Sequence, residues 1–351
     1  MSDIIEALKD AVTDACVRHP SSATGLEGTV WNAPLWTALD QIGITLLSVP
    51  EDEGGSGGDI LAASAVLQVL GEHVAAVPFA ETALQAAWLL GACGATIPDG
   101  PMAAAVADVG VTLTENGGVR VLEGELTRVP WARHAENLVI LVGPQVLVLS
   151  RGDFDVRPGS NLAGESRDDV AIGRIELASD RIHTLPDDST VTAELFAARG
   201  AVGRMALMAG AARRSLEMSL TYVGERHQFG RALDKFQAVQ HHVAAMAGEV
   251  LLCKTAAESA AQALDGTESW QLPVWAGKVA TGNAAGTVAK LAHQLHGAIG
   301  FTEEHDLRLC TTRIWSWRDE FGTMREMSSK VGDLVIEGGA DNLWATLSDG
   351  S

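Results

Sequence analysis

Glu225-Arg226-His227-Gln228-Phe229-Gly230-Arg231, followed by Phe236-Gln237-Ala238-Val239-Gln240-His241, is the stretch on which the fold turns. Long runs of helical periodicity flank it, over residues 192–225, 235–265 and 272–296. Each keeps an apolar face through many turns, and helices of this length suit an antiparallel bundle. The stretch is thus the corner between two bundle helices. Gly203, Gly210, Gly248, Gly282 and Gly286 lower helix propensity inside these runs and mark expected close helix contacts. At the corner, Arg226 offers a fork of donors matched to a pyrophosphate. Gln228 and Phe229 have the chemistry to hold a base by hydrogen bonding and stacking. A plain corner with a surface arginine is the alternative reading of the same residues.

Upstream the period changes. VRVLEGEL, NLVILV, QVLVLS and AIGRIEL, between residues 119 and 177, are short, β-branched and bounded by turn residues. They predict a compact antiparallel β domain. Before them, Ile4, Ile5, Leu8, Val12 and Cys16 share one helical face. The run from Ser48 and Val49 through Pro50, Glu51, Asp52, Glu53, Gly54 and Gly55 to Gly58 forces a loop. Asp59 then caps a helix through LAASAVLQVLGEHV, and ETALQAAWLLGAC predicts another. The expected class is α+β: an N-terminal helical domain over 1–96, a middle antiparallel β domain over 97–188 and a C-terminal four-helix bundle over 189–351.

Composition narrows the function. With 25 basic and 45 acidic residues the net charge is −20, which argues against a nucleic-acid groove or an anionic membrane surface. Four separated cysteines, Cys16, Cys93, Cys253 and Cys310, read as reduced core thiols. The ten histidines show no metal spacing, and His241-His242 reads as solvated or interfacial. No apolar run reaches the ~18 residues of a membrane span, and the N-terminus does not read as a signal peptide. A cytoplasmic globular protein is expected.

A second segment, Gln294-Leu295-His296-Gly297-Ala298-Ile299-Gly300-Phe301, ends a long helix in glycines. Exposed amides there admit phosphate oxygens, or the glycines are simply a helix cap. At this spacing the two segments together resemble the acyl-CoA dehydrogenase family. The resemblance extends to the P-E-x-x-G-G loop at Pro50-Glu51-Asp52-Glu53-Gly54-Gly55, to the stretch from Leu70-Gly71-Glu72 to Pro78, and to the middle-domain turn Leu122-Glu123-Gly124-Glu125, where Glu125 replaces the usual Lys. It implies FAD as cofactor and oxidation of an acyl-CoA thioester to the trans-2-enoyl-CoA. It also implies that Arg226, Gln228, Phe229, Gln237, Gln294, His296 and Gly297 hold the adenine and pyrophosphate end of a flavin seated mainly in a neighbouring subunit. Thr323 joins them by matching the family's Gly-Thr pair.

The reacting end departs from the family. Residues 103–113 lack the T-E-P-x-x-G-S-D loop that meets the flavin ring and substrate, and Thr114-Glu115-Asn116 is not a shifted copy of it. Trp131 either matches the aromatic residue beside the flavin or belongs to the core. The family's base precedes Gly-Thr, where this chain has Phe321 before Gly322-Thr323. The alternative base position holds Gly200, followed by Ala201. Glu320 and Asp319 are the remaining carboxylates, with Glu320 expected to pair with Arg318 or Arg325. Arg308, Arg313 and Arg318 lie among tryptophans on an expected docked helix. The resemblance implies a shortened subunit of an α2β2 acyl-CoA dehydrogenase, as in actinobacterial sterol and lipid catabolism. The length and two-sided apolar character of helices 235–265 and 272–296 predict that they are buried against a second subunit. A homo-oligomeric dehydrogenase using Glu320 or Asp319 and a flavin-free scaffold are the alternatives.

Overall fold

A computed structural model describes residues 2–21, 29–107, 110–266 and 269–344. The N-terminal helices are α1 (Ser2–Arg18), α2 (Ala33–Ile42), α3 (Ile60–Glu72) and α4 (Ala87–Ala92), and α4 continues a π-helical turn over Ala80–Ala86. Local chemistry sets their ends. Asn32 Oδ1 accepts from Leu35 N at 3.1 Å to start α2, and Asp59 Oδ1 accepts from Ala62 N at 2.6 Å to start α3, as expected of Asp59. On α1, Val12 and Cys16 are buried whereas Ile4 is exposed, so the apolar stripe is longer than the core it meets.

The strands are β1 (Met102–Val106), β2 (Val111–Asn116), β3 (Val119–Pro130), β4 (Asn137–Val142), β5 (Gln145–Ser150), β6 (Asp155–Arg157), β7 (Arg167–Leu177) and β8 (Ile182–Thr184). They form two four-stranded sheets, β1-β4-β5-β8 and β2-β3-β7-β6. Leu122, Leu126, Leu138, Ile140, Leu147 and Ile172 belong to one shared core. The sheets are antiparallel except that β1 runs parallel to β4, with Met102 opposite Asn137. An alanine-rich β1 carries no alternation to announce it, and its partner follows only after β2 and β3, a crossover long enough for parallel pairing.

The next helix, α5, spans Ala193–Glu225 and leads into a hairpin of β9 (His227–Gln228) and β10 (Arg231–Ala232). Then come α6 (Gln237–Asp265), α7 (Gln271–His296), α8 (Leu307–Arg318) and α9 (Met324–Gly338). The three long helices fall within about two residues of their expected spans. Gly210 and Gly71 mark a close crossing of α3 and α5. A Cβ on Gly210 would lie 1.9 Å from Gln68 O, and one on Gly71 2.2 Å from Leu207 O. Gly248 differs from expectation: a Cβ there would meet nothing within 4 Å, because its side of α6 faces outward.

The chain divides into two compact units, one of residues 1–21, 64–75 and 201–351, the other of residues 22–63 and 76–200. Among the described residues no helix is long and apolar enough to cross a membrane, and no group of three or more His, Cys, Asp or Glu is placed to hold a metal ion.

Candidate functional site

In the first unit, the last turn of α5 delivers Arg226, whose amide still bonds Tyr222 O at 2.9 Å. The chain then reverses through Phe229 and Gly230, with φ of +50° and +82°. Two consecutive positive φ values are what a two-residue type I′ hairpin requires, and they explain Gly230. A phenylalanine there is strained by about 1–2 kcal/mol, and its ring is left 89% exposed. The Arg226 side chain is exposed with no ion-pair partner among the described residues, and Gln228, Gln237 and Gln294 are exposed as well.

The second segment is joined to this corner. His296, buried at the end of α7, stacks on Tyr222 with ring centroids 4.6 Å apart and planes inclined by 22°. Its Nδ1 bonds Ala292 O at 2.8 Å, and its Nε2 has no hydrogen-bond partner. Burial pushes the His296 pKa down, which favours the neutral ring, with Nδ1–H donating to the carbonyl. Beyond it Gly297 turns the chain at φ +62°, with open space where a side chain would stand. His293 stacks on Phe301 at 4.1 Å and closes the glycine turn back onto α7. The structure therefore brings Arg226, Gln228, Phe229, His296 and Gly297 to helix ends joined by one aromatic stack. Free donors, an uncovered aromatic face and an open glycine fit the phosphates and base of a dinucleotide.

The base turn lies elsewhere in the same unit and is filled. Phe321 adopts φ +53° and Gly322 φ +104°. A side chain at Gly322 would collide with Met327 Cε at 1.9 Å. The Arg204 guanidinium lies 5.1 Å from the Phe321 ring centre and its Nε bonds Glu320 Oε2 at 2.6 Å. Glu320 thus pairs with Arg204 of α5 and not with Arg318 or Arg325 as the sequence led us to expect. Its side chain is 12% exposed. Sequence proximity favoured the neighbours, but the turn after α8 points Glu320 inward. Arg318 instead pairs with Asp319 at 3.4 Å, and Asp319 is 53% exposed. Lys278, which the sequence reading missed, is fully buried and donates from Nζ to Trp317 O at 2.8 Å. Burial pushes its pKa down to about 7, against the pull of Glu320. Thr323 caps α9 in a reciprocal box with Glu326, accepting from its N at 3.2 Å, so its hydroxyl serves the helix. On α8, Arg313 is buried and bonds Leu309 O at 3.1 Å.

In the second unit, residues 107–110 join β1 to β2, of which Asp108 and Val109 lie outside the described residues. Thr114, Glu115 and Asn116 are ladder residues of β2, paired with Val121, Arg120 and Val119. Trp131 is 3% exposed. Its ring lies 6.5 Å from Trp31 and 5.9 Å from His134, and His134 stacks on Trp31 at 5.8 Å. The turn is anchored by Asp168, whose Oδ1 accepts from Arg133 Nε at 2.9 Å. Burial alone would raise the Asp168 pKa, and hydrogen bonds from Arg133, Ser166 and Gly159 bring it below the usual value. Trp131 is a core residue covered by the chain's own rings. In the second unit, Gly200 lies near the start of α5 beside Arg199, whose Nε bonds Leu84 O at 2.5 Å.

Comparison with known proteins finds similarity to acyl-CoA dehydrogenases. Residues 191–319 match the family model "Acyl-CoA dehydrogenase, C-terminal domain". The chain is 26% identical to acyl-CoA dehydrogenase IpdE2 of Mycobacterium tuberculosis, over 95% of this chain and 97% of that protein. Its fold is similar to the ChsE4-ChsE5 complex from the same organism, with a TM-score of 0.78, 22% identity and coverage of 96% of this chain and 98% of the other. It is also similar to butyryl-CoA dehydrogenase from Megasphaera elsdenii, with a TM-score of 0.84, 16% identity and coverage of 96% and 99%.

Proposed function

We propose that this chain, a member of the acyl-CoA dehydrogenase family, is the subunit of a hetero-oligomeric dehydrogenase that completes the FAD site of a second, base-bearing subunit. One observation carries the reading: an open, unpaired nucleotide corner coexists in one unit with a base position closed by Phe321 and Arg204. Bound FAD would supply the hydride acceptor for α,β-dehydrogenation of an acyl-CoA thioester. Arg226 would neutralise the pyrophosphate, Gln228, Gln237 and Gln294 would bond its oxygens or the base, Phe229 would stack on the base, and Gly297 would admit close approach. His296 would support the segment from beneath. A general base must reach its proton at hydrogen-bond distance, and Glu320, held by Arg204, is not free to do so. The ChsE4-ChsE5 neighbour, solved as a complex, supports a two-subunit assembly. A steroid or other lipid acyl group and a cytoplasmic setting are part of the same proposal.

Co-expression with a second acyl-CoA dehydrogenase subunit tests this. The complex is expected to carry flavin and turn over acyl-CoA with an artificial acceptor, while the chain alone does neither. Arg226→Ala should weaken flavin retention by about 10- to 150-fold, the loss of one charge-assisted phosphate contact. A lone chain that purifies yellow and active would establish the homo-oligomeric alternative. A complex that binds no flavin would establish the scaffold.

A further inference from the structure

Tyr222 has no place among the residues that would touch a nucleotide, yet it joins the two segments that do. It lies one turn before Arg226 on α5, and its carbonyl accepts the Arg226 amide at 2.9 Å. Its ring stacks on His296 at 4.6 Å and meets His305 edge-on at 6.4 Å. His305 in turn lies 4.6 Å from His296. His296 is held by its bond to Ala292 O, so the ring against Tyr222 cannot swing. Gly300 lets the turn close over this stack, since a Cβ there would come within 3.0 Å of His296 Cβ. Apolar contact alone does not fix the rotation and height of one helix end relative to another. A stacked pair within a three-ring cluster does, because sliding or tilting by an ångström loses the contact.

We propose that Tyr222 is a positioning residue: its stack on His296 sets the placement of the Arg226 corner relative to the Gln294–Gly297 segment, so that both meet one dinucleotide. The inference rests on the reading of this corner as half of a flavin site. Tyr222 touches no ligand; it acts through Arg226 and His296.

The test is a double-mutant cycle on the two-subunit complex, read as FAD affinity from quenching of flavin fluorescence. Tyr222→Met is expected to weaken FAD by about tenfold, with thermal stability and assembly retained, and Tyr222→Phe to restore affinity to about the wild-type level. In the Arg226→Ala background, Tyr222→Met should weaken FAD by less than about threefold, because the contact that it places is already gone. Losses that multiply in full would overturn the proposal and leave Tyr222 as a packing residue. Equal losses in Tyr222→Met and Tyr222→Phe would overturn it too, by assigning the effect to the hydroxyl. If Tyr222→Met does not fold, His296→Leu breaks the same stack from α7, and its cycle with Arg226→Ala is read in the same way. A wild-type complex without FAD affinity defeats the functional reading itself, whereas a binding complex with a multiplicative cycle defeats only the role of Tyr222.

Discussion

Lys278 shows what a single residue reveals in a bundle interior. Its amine is fully buried beside Arg204, which already holds Glu320. Its folded pKa is about 7, against 10.5 when solvated. Between those values the unfolded chain binds a proton that the folded chain does not, so stability rises with pH across this window. Below about pH 7 both states are charged and the penalty is felt in full. Lys278→Met should therefore raise the melting temperature most near pH 6 and progressively less toward about pH 10, measured by thermal melts across that range. Glu320→Gln is expected to do the opposite. Removing one partner of a buried ion pair costs about 3–5 kcal/mol. The melting temperature of the chain should fall, while turnover per intact complex stays within about twofold of wild type. A loss of several orders of magnitude in turnover with the fold intact would make Glu320 the base.

Helices carry the next scale. The crossing of α3 and α5 leaves no room at Gly210, whose added Cβ would meet a backbone carbonyl. Gly210→Ala should destabilise the chain by about 1–3 kcal/mol through overpacking. Gly248→Ala, on the outward side of α6, should stabilise the free chain by up to about 1 kcal/mol through helix propensity alone. Denaturant melts of the two variants check both signs. The contrast also shows what sequence could and could not say. The long helices, the corner at Arg226 and the strands from Val119 onward were legible because period, caps and turn residues agree locally. Which helix glycine faces a neighbour was not, because a glycine looks the same on either side. The parallel β1, the Arg204–Glu320 pair and buried Lys278 were hidden for the same reason: each depends on partners far away in sequence. The motif residues of the Arg226 corner were legible, but the Tyr222 stack that binds them together was not.

At the scale of the whole molecule, α6 and α7 divide their roles. We expected both to be buried against a second subunit; within this chain α7 already packs Val274, Ala284, Ala285, Val288 and Ala292 into its own bundle. The free face belongs to α6, where Leu251 is 62% exposed and Leu252 is exposed beside it. A groove of about 320 Å³ lies nearby, lined by Leu220, Val223, Val239 and Val243. Leu251→Glu should weaken the two-subunit complex, measured by light scattering at micromolar concentration, and leave the melting temperature of the lone chain within about two degrees.

The chain contains a single tyrosine, and it stands in the stack on His296. Any tyrosine-selective label is therefore a label of this one place. Biosynthetic replacement by fluorotyrosine would give one fluorine resonance from the chain, shifted by the ring current of the imidazole beneath it. Its position would report, without isotopic assignment, whether added FAD reaches the corner and whether a second subunit docks there.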